Sequence, residues 1–172
     1  MCNKKGFVII CLVILSALLI TGCLPSTTVT TPEEYFTFDS TTGTITDYNI
    51  AGGLDVVIPS TIGGVAVYHI SIDAFLKKYL TSVIIPDSVV SIGPCAFRNN
   101  LLTSVTIPDS VVSIGPTAFQ NNPLSSVTIG ANVDINSDPT TMGTNPGFKT
   151  LYDGGGKLAG TYNYIGGVWV KV

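Results

Sequence analysis

Side chains that could do catalytic or metal chemistry are few in this sequence. His69 is the only histidine among 172 residues. A Ser-His-Asp triad, or a zinc site built from histidine and cysteine, needs further residues of fixed kinds around the imidazole. We find no such constellation around His69, so we expect no catalytic residue, no metal site, no cofactor and no enzymatic activity.

Two aspartates recur at equivalent places, Asp87 and Asp109, each between a proline and a serine. Calcium prefers about six to eight oxygen ligands, more than two carboxylates and the nearby turn oxygens provide. Aspartate is also a common turn residue, because its side chain can bond to the backbone two residues further on. We interpret both as turn residues, with a calcium contact as the alternative.

The N-terminus has the pattern of an export signal. Lys4 and Lys5 precede an apolar run from Gly6 to Gly22, and Cys23 follows it directly. Seventeen residues in a helix would span about 25 Å, at the lower limit for crossing a hydrocarbon core of about 30 Å. An uncleaved membrane anchor is therefore the alternative to a cleaved leader.

The tetrad Ile20-Thr21-Gly22-Cys23 resembles the bacterial lipobox. This resemblance implies that the leader is cut before the cysteine and that the thiol carries a diacylglycerol. We therefore predict a lipoprotein signal peptide over 1–22 and lipidation of Cys23. The chain would be held by a lipid anchor in the membrane of a bacterial cell envelope and displayed at the surface.

Loss of the leader changes the charge and the cysteine count. The 8 basic residues less Lys4 and Lys5 leave 6, against 11 acidic ones, for a formal charge of −5. Cys2 and Cys11 leave with the leader and Cys23 is lipidated, so Cys95 stands alone and no intramolecular disulfide can form. We interpret Cys95 as a small packing residue, with an intermolecular disulfide as the alternative.

The low content of charged residues excludes some classes of binding partner. Only 11% of the residues are charged, against about 25% in an average soluble domain, so neutral polar residues must cover much of the surface. Lysine and arginine are not in excess, so we do not expect the protein to bind nucleic acid. The segment 23–34 has two prolines, several Ser and Thr residues and no hydrophobic period, which predicts a flexible tether.

Internal repetition dominates the remaining sequence. The 22 residues from Tyr79 to Asn100 and the next 22, Leu101 to Asn122, agree at 18 positions. The register continues into a third copy from Pro123, and a diverging copy with an insertion runs from Leu54 to Phe75. At least three stacked units suffice to build a continuous core, so the repetition predicts a solenoid.

Each unit is predicted to be one coil of two short strands joined by turns. Val83 and Ile85 alternate as in a strand, Pro86-Asp87-Ser88 turns the chain, and Ala96-Phe97 closes the coil. Stacked coils would pair their strands about 4.8 Å apart and place identical side chains above one another. The Asn pairs 99–100 and 121–122 are interpreted as a structural amide ladder, with a ligand role as the alternative.

The repeat LTSVxIPxSVxSIGxxAFxxN resembles the BspA-like, or Treponema-type, leucine-rich repeat of bacterial surface proteins, over roughly residues 35 to 150. The fold expected is mainly β, a short solenoid with capping units at both ends. The domain organisation predicted is 35–78 for the N-terminal capping unit and first repeat, 79–147 for the repeats and 148–172 for a C-terminal capping hairpin.

The C-terminal segment is predicted to form a hairpin about Gly166-Gly167, with Tyr164 across from Trp169. It would cover the open end of the stack, as terminal repeats must. The aromatic rings of Tyr162, Tyr164 and Trp169 could alternatively stack on a sugar. Packing within the cap is the preferred interpretation.

Outward strand positions are the predicted binding residues. By register they are Ser82, Ile84, Ser104, Thr106, Ser126 and Thr128. The second strands would add Tyr68, Val90 and Val112, and His69 would face solvent at the position of Ser91 and Ser113 or make a binding contact.

The family resemblance implies an adhesin or receptor that binds host matrix proteins or proteins of another bacterial surface. Two alternatives stay open. One is a structural envelope protein with no external ligand, and the other is a carbohydrate-binding module that uses the C-terminal aromatic residues.

Overall fold

The computed structural model describes residues 29–138 and 140–172. The predicted leader, Cys23 and most of the predicted tether lie outside these residues. No helix within them is long and apolar enough to span a membrane.

Short strands account for nearly all the regular structure. The strands are β1 (Phe36–Asp39), β2 (Thr44–Tyr48), β3 (Asp55–Val57), β4 (Thr61–Ile62), β5 (Val65–Ala66), β6 (His69–Ile70), β7 (Ser82–Ile84), β8 (Ser91–Ile92), β9 (Ser104–Ile107), β10 (Ser113–Ile114), β11 (Ser126–Ile129), β12 (Asp134–Ile135), β13 (Gly160–Ile165) and β14 (Val168–Lys171). The described residues also contain one α-helix, α1 (Phe148–Gly154), and single 3-10 turns at Glu33–Tyr35 and Ile50–Gly52.

The strands stack as a β-solenoid of about four coils, which confirms the predicted fold class. On one side β3 pairs with β7, and β9 pairs with β11, in parallel; we call this side the long-strand side. On the other side β2, β6, β8, β10 and β12 form a parallel ladder of short strands. Ser104 lies opposite Ser126, so the coils stack in the 22-residue register that the repeats predict.

The core contains one equivalent set of apolar side chains from each coil. Phe75, Phe97 and Phe119 are fully buried and stack ring on ring along the solenoid axis. The coils that begin at Leu80, Leu102 and Leu124 each also bury one leucine, two valines and two isoleucines of the repeat. Burial of such side chains stabilises by about 1.5–3 kcal/mol each, and a single coil could not bury them alone.

Two buried asparagines hold the turns of adjacent coils together. The Asn100 side chain accepts hydrogen bonds from the backbone N–H of Lys78 and Leu80, at 3.1 and 3.0 Å. Its amide nitrogen donates to the carbonyls of Phe75 and Phe97, both at 2.8 Å. Asn122 repeats most of this pattern one coil later. Both side chains are therefore structural, but they bond to the backbone; the predicted amide ladder is formed by the other two, since the Asn121 amide nitrogen donates to the Asn99 amide oxygen at 2.7 Å.

The two ends of the solenoid are closed on different sides. The antiparallel hairpin of β1 and β2 joins the short-strand ladder through β6. The antiparallel hairpin of β13 and β14 joins the long-strand side through β11. It turns at Gly166-Gly167, both at positive φ, and places Tyr164 opposite Trp169, as predicted.

Helix α1 is an addition to the predicted C-terminal hairpin. It packs Phe148 and Tyr152 against the last coil, and both side chains are buried. The Tyr152 hydroxyl donates to the Gly130 carbonyl at 2.6 Å and accepts from the Val133 N–H at 3.0 Å. The helix has only seven residues, too few to give a clear helical period in the sequence.

Candidate protein-binding surface

Four of the six predicted binding residues are exposed on the long-strand side. Ser82 and Ile84 project outward from β7, while Val83 between them points into the core. Ser104 and Thr106 do the same on β9, on either side of the buried Val105. We call the outward side chains Ser82, Ile84, Ser104, Thr106, Ser126 and Thr128 the strand face.

The other two predicted residues, Ser126 and Thr128, alternate with buried neighbours as predicted but are half-buried. Ser126 donates to the Asn163 side chain at 2.8 Å, and the Thr128 hydroxyl lies 2.9 Å from that of Thr161. Both partners belong to β13, which pairs antiparallel with β11. The capping hairpin therefore adds one strand beside the strand face. It also engages the Ser126 and Thr128 hydroxyls of the last coil in hydrogen bonds.

Sequence reasoning missed Thr161 and Asn163 as part of this surface. Their alternation with the buried Tyr162 was a signal for it, because a strand that alternates in this way presents one side to solvent. What the sequence did not reveal was the strand to which β13 would pair.

The strand face is neutral and presents both hydroxyls and one large apolar side chain. Ile84 is 49% exposed, in register with Thr106 on the next coil. At the N-terminal margin, Asp55 lies opposite Ser82 and accepts from the Thr81 hydroxyl at 2.6 Å. Hydroxyls can donate and accept, so such a surface suits the mixed polar and apolar surface of a protein rather than a strongly charged ligand.

A second outward surface lies on the short-strand ladder. Tyr68 and Val112 are 47% and 58% exposed. His69 lies opposite Ser91, as its register predicts, but it is half-buried and its Nδ1 is 2.8 Å from the Ser91 hydroxyl. The expectation of a solvent-facing imidazole is therefore only half right, because the serine of the next coil covers one edge of the ring.

Cys95 is the only cysteine within residues 29–138 and 140–172, and it is half-buried. Its thiol lies 3.0 Å from the hydroxyl of Thr117, the equivalent residue of the next coil. Both residues adopt a left-handed backbone, with φ of 56° and 55°. Cysteine and threonine thus occupy one structural position, in agreement with the interpretation of Cys95 as a packing residue.

The described ranges contain no cluster of three or more His, Cys, Asp or Glu side chains that could hold a metal ion. The resolved pKa shifts fall in caps and turns. Hydrogen bonds from Thr41 lower the pKa of Asp39, and those from Thr140 lower the pKa of Asp138. Burial raises the pKa of the cap tyrosines Tyr48, Tyr152 and Tyr162.

The aromatic residues of the C-terminal cap pack inward. Tyr162 and Trp169 are 2% and 7% exposed, and both rings make edge contacts with Phe148. The Trp169 Nε1 donates to the Asn145 carbonyl at 3.3 Å. A sugar platform needs an open ring face, so these two rings serve the cap, as the preferred interpretation holds.

Comparison with known proteins agrees with this architecture. A model of the BspA-type leucine-rich repeat region matches residues 68–140 in 6 copies. Among solved structures, a leucine-rich-repeat protein of T. pallidum is similar with a TM-score of 0.40 and 20% sequence identity. That similarity covers 60% of this chain and 65% of the other, slightly less than two thirds of its length. No curated protein sequence matches at a significant level.

The matched segment begins at Tyr68, before β6, and ends beyond β12, so it contains most of the stacked coils, while β2 and β3 lie before it. Within it the apolar positions of the repeat are the buried ones and the intervening strand positions face outward. Residues 68–140 of this chain are therefore similar to the BspA-type leucine-rich repeat region, both in the sequence of the repeat and in which of its positions are buried.

Proposed function

We propose that this protein is a lipid-anchored binding module of a bacterial envelope, displayed at the surface, and that it captures a partner protein through its strand face. The coarser part of this proposal follows from the fold, because leucine-rich repeats generally mediate protein interactions and are typically non-enzymatic scaffolds. Anchoring, display and adhesion are the finer parts. The proposal contains no catalytic step.

The single observation that carries the binding site is the uncovered strand face. Ser82, Ile84, Ser104 and Thr106 are exposed on adjacent coils, and no other described segment packs over them. A repeated and uncharged surface of this kind binds through many small contacts whose sum gives affinity. Because the coils share one register, the partner would meet a serine every 22 residues, at Ser82, Ser104 and Ser126.

Support for the anchor comes from the sequence alone. The lipobox-like tetrad ending at Cys23 follows an apolar leader, and the first described residue, Val29, comes six positions later. Two or three acyl chains would hold the protein stably at a membrane, which a single chain does not. The few residues between Cys23 and the solenoid would keep the domain close to the lipid surface.

The binding site is tested with a double substitution, Ile84→Lys and Thr106→Lys, in the full-length chain. The two new ammonium groups would stand on adjacent coils about 5 Å apart. They should repel a partner that fits a neutral surface and leave the core untouched. The matched control is Tyr68→Lys with Val112→Lys, which adds the same charge to the other outward surface.

Binding is measured to immobilised matrix proteins and, separately, to envelope extract, with circular dichroism as the check on folding. We expect at least a tenfold loss for the first pair and little change for the control. A loss confined to envelope extract would favour the structural role over adhesion. Loss only in the control pair would move the site to the short-strand surface and contradict the proposal.

A further inference from the structure

The edge of β14 is unpaired within the described part of the chain. This strand ends the sheet order β14-β13-β11-β9. Val172 donates its N–H to the Thr161 carbonyl, so the alternating residues Val170 and Val168 also bond to β13. The backbone groups of Trp169 and Lys171 therefore point away from β13, and their N–H and C=O groups form an open edge.

The opposite end of the long-strand side is closed, which makes the open edge notable. There, Thr31 is 6% exposed and lies against β3. Its N–H donates to the Val57 carbonyl at 3.0 Å, and its hydroxyl accepts from the Val57 N–H at 3.0 Å. A short segment thus covers one edge, whereas none of the residues that the structure describes covers β14 in this way.

The outward side of β14 is apolar. Val168, Val170 and Val172 are 60%, 41% and 68% exposed, and Ile165 on the neighbouring strand is 57% exposed. Soluble proteins usually protect edge strands with proline, bulges or several charges. Lys171 is the only charged residue of β14, and the strand pairs with β13 in unbroken register.

A groove runs beneath the inward side of this edge. It has a volume of about 600 Å³, and its lining includes Thr150, Leu151, Gly154, Gly155 and Trp169. The two glycines have no side chains to fill it. The remaining lining is mainly aliphatic, together with the Trp169 ring, so the groove suits the long aliphatic stem of a lysine side chain.

We propose that a second copy of this chain pairs with the edge, β14 against β14 and antiparallel, about a two-fold axis at Val170. In this register Val170 faces its own equivalent, and Val168 faces Val172 of the second copy. Lys171 of each copy then lies beside Trp169 of the other, on the side of the groove. Lys171, whose ammonium lies 6.0 Å from the centre of its own Tyr162 ring, would then extend from each copy towards the groove of the other.

Neighbouring registers are less favourable. A two-fold axis at Lys171 would place two lysines directly opposite each other, and like charges at that spacing are destabilising. An axis at Trp169 would leave Val172 without a partner and set Lys171 opposite Gly167. Only the axis at Val170 covers all three exposed valines and keeps the two lysines apart.

The contact is small, since each copy contributes one short strand. Stable complexes bury about 1,600 Å² in total, so association through this edge should be weak and transient. A covalent trap is therefore the appropriate measurement. In the proposed register the two Val170 residues form a non-hydrogen-bonded pair with Cα atoms about 4.5 Å apart, within the range of a disulfide.

The experiment uses the full-length chain in detergent with Cys95→Ser as background. Val170→Cys is oxidised with copper phenanthroline and the covalent dimer is measured on non-reducing gels. The controls are Val168→Cys and Val172→Cys, each alone, because two residues at either position would lie about 13 Å apart. The background chain measures dimer that arises from the remaining cysteines, and thermal unfolding verifies that each variant is folded.

We expect at least tenfold more covalent dimer from Val170→Cys than from either control alone. An equal mixture of the Val168→Cys and Val172→Cys chains should restore the dimer, because those positions face each other across the axis. Equal yields from all three single variants would overturn the register. Cross-linking of Val170→Cys to other proteins and not to itself would overturn the choice of a second copy.

Discussion

The rings of Phe97 and Phe119 lie nearly parallel, with centroids 5.1 Å apart and planes inclined by 9°, although 22 residues separate them in the chain. Phe75 stacks on Phe97 at 4.9 Å, and Tyr48 of the N-terminal cap stacks on Phe75 at 5.3 Å. One aromatic column therefore runs from the cap through three coils.

Removal of the middle ring should weaken the whole column. We expect Phe97→Ala to lower the free energy of unfolding by about 3–5 kcal/mol, because it leaves a cavity between two coils. That is a large share of a total stability of about 5–15 kcal/mol. Urea unfolding measures it, with the exposed Val112→Ala as control. Comparable losses from both variants would contradict the assigned core.

Replacement of the buried Asn100 should lower the stability more than replacement of its half-buried neighbour Asn99. Asn100→Leu fills similar space but leaves four backbone groups without partners, each costing about 1–3 kcal/mol. We expect a loss on the order of 3–5 kcal/mol in unfolding free energy. Asn99 has φ of 59° and suits glycine, so Asn99→Gly is the control and should lose less than about 1 kcal/mol. Similar losses of unfolding free energy at both positions would argue against the structural role of the Asn100 hydrogen bonds.

Alkaline pH should destabilise the caps. Burial raises the pKa of Tyr152 above its ordinary value of 10.0, so the folded state keeps its phenolic proton to higher pH than the unfolded state does. Stability is therefore complete below about pH 10 and declines as pH rises through the folded pKa.

Tyr152→Phe tests this point. At neutral pH the variant should be less stable by about 1–3 kcal/mol, because the Gly130 carbonyl and the Val133 N–H lose their partner. Above about pH 10 the difference from the parent chain should narrow, since phenylalanine does not titrate. Thermal unfolding from pH 7 to 11 shows it, and a constant difference over that range would rule out the contribution of Tyr152.

Lipidation is predicted to depend on Cys23. Cells that express the full-length chain are fed a clickable fatty acid, and the purified protein is examined for label. We expect Cys23→Ala to abolish the label and to leave the leader attached, which mass measurement reveals. Cys95→Ser serves as the control and should label as the parent does. Equal label in the parent and Cys23→Ala would disprove the predicted anchor.

The sequence predicted the solenoid well because the two central repeats are nearly identical. A side chain at one position then stacks on its own equivalent, so the burial of Val83 and Phe97 could be inferred from the repeat alone. The pairing of Tyr164 with Trp169 was also predictable, because Gly166-Gly167 fixes the register of the hairpin.

Features that depend on contacts between unlike segments were not predictable. Helix α1 is short, and its stability comes from Phe148 and Tyr152 packing on the last coil rather than from its own propensity. Ser126 and Thr128 have the same local sequence as their free counterparts Ser104 and Thr106. Their exposure differs only because β13 pairs with β11, and no local sequence pattern predicts that pairing.

Closure of the two ends on different sides of the solenoid has a consequence for its growth. The N-terminal hairpin bonds to β6 and the C-terminal hairpin to β11, so neither cap depends on how many coils lie between them. Duplication of the segment 101–122 would add one more rung and preserve both caps. Recombination between the near-identical repeats can therefore lengthen or shorten the protein without loss of either cap. The same property allows longer or shorter versions to be designed.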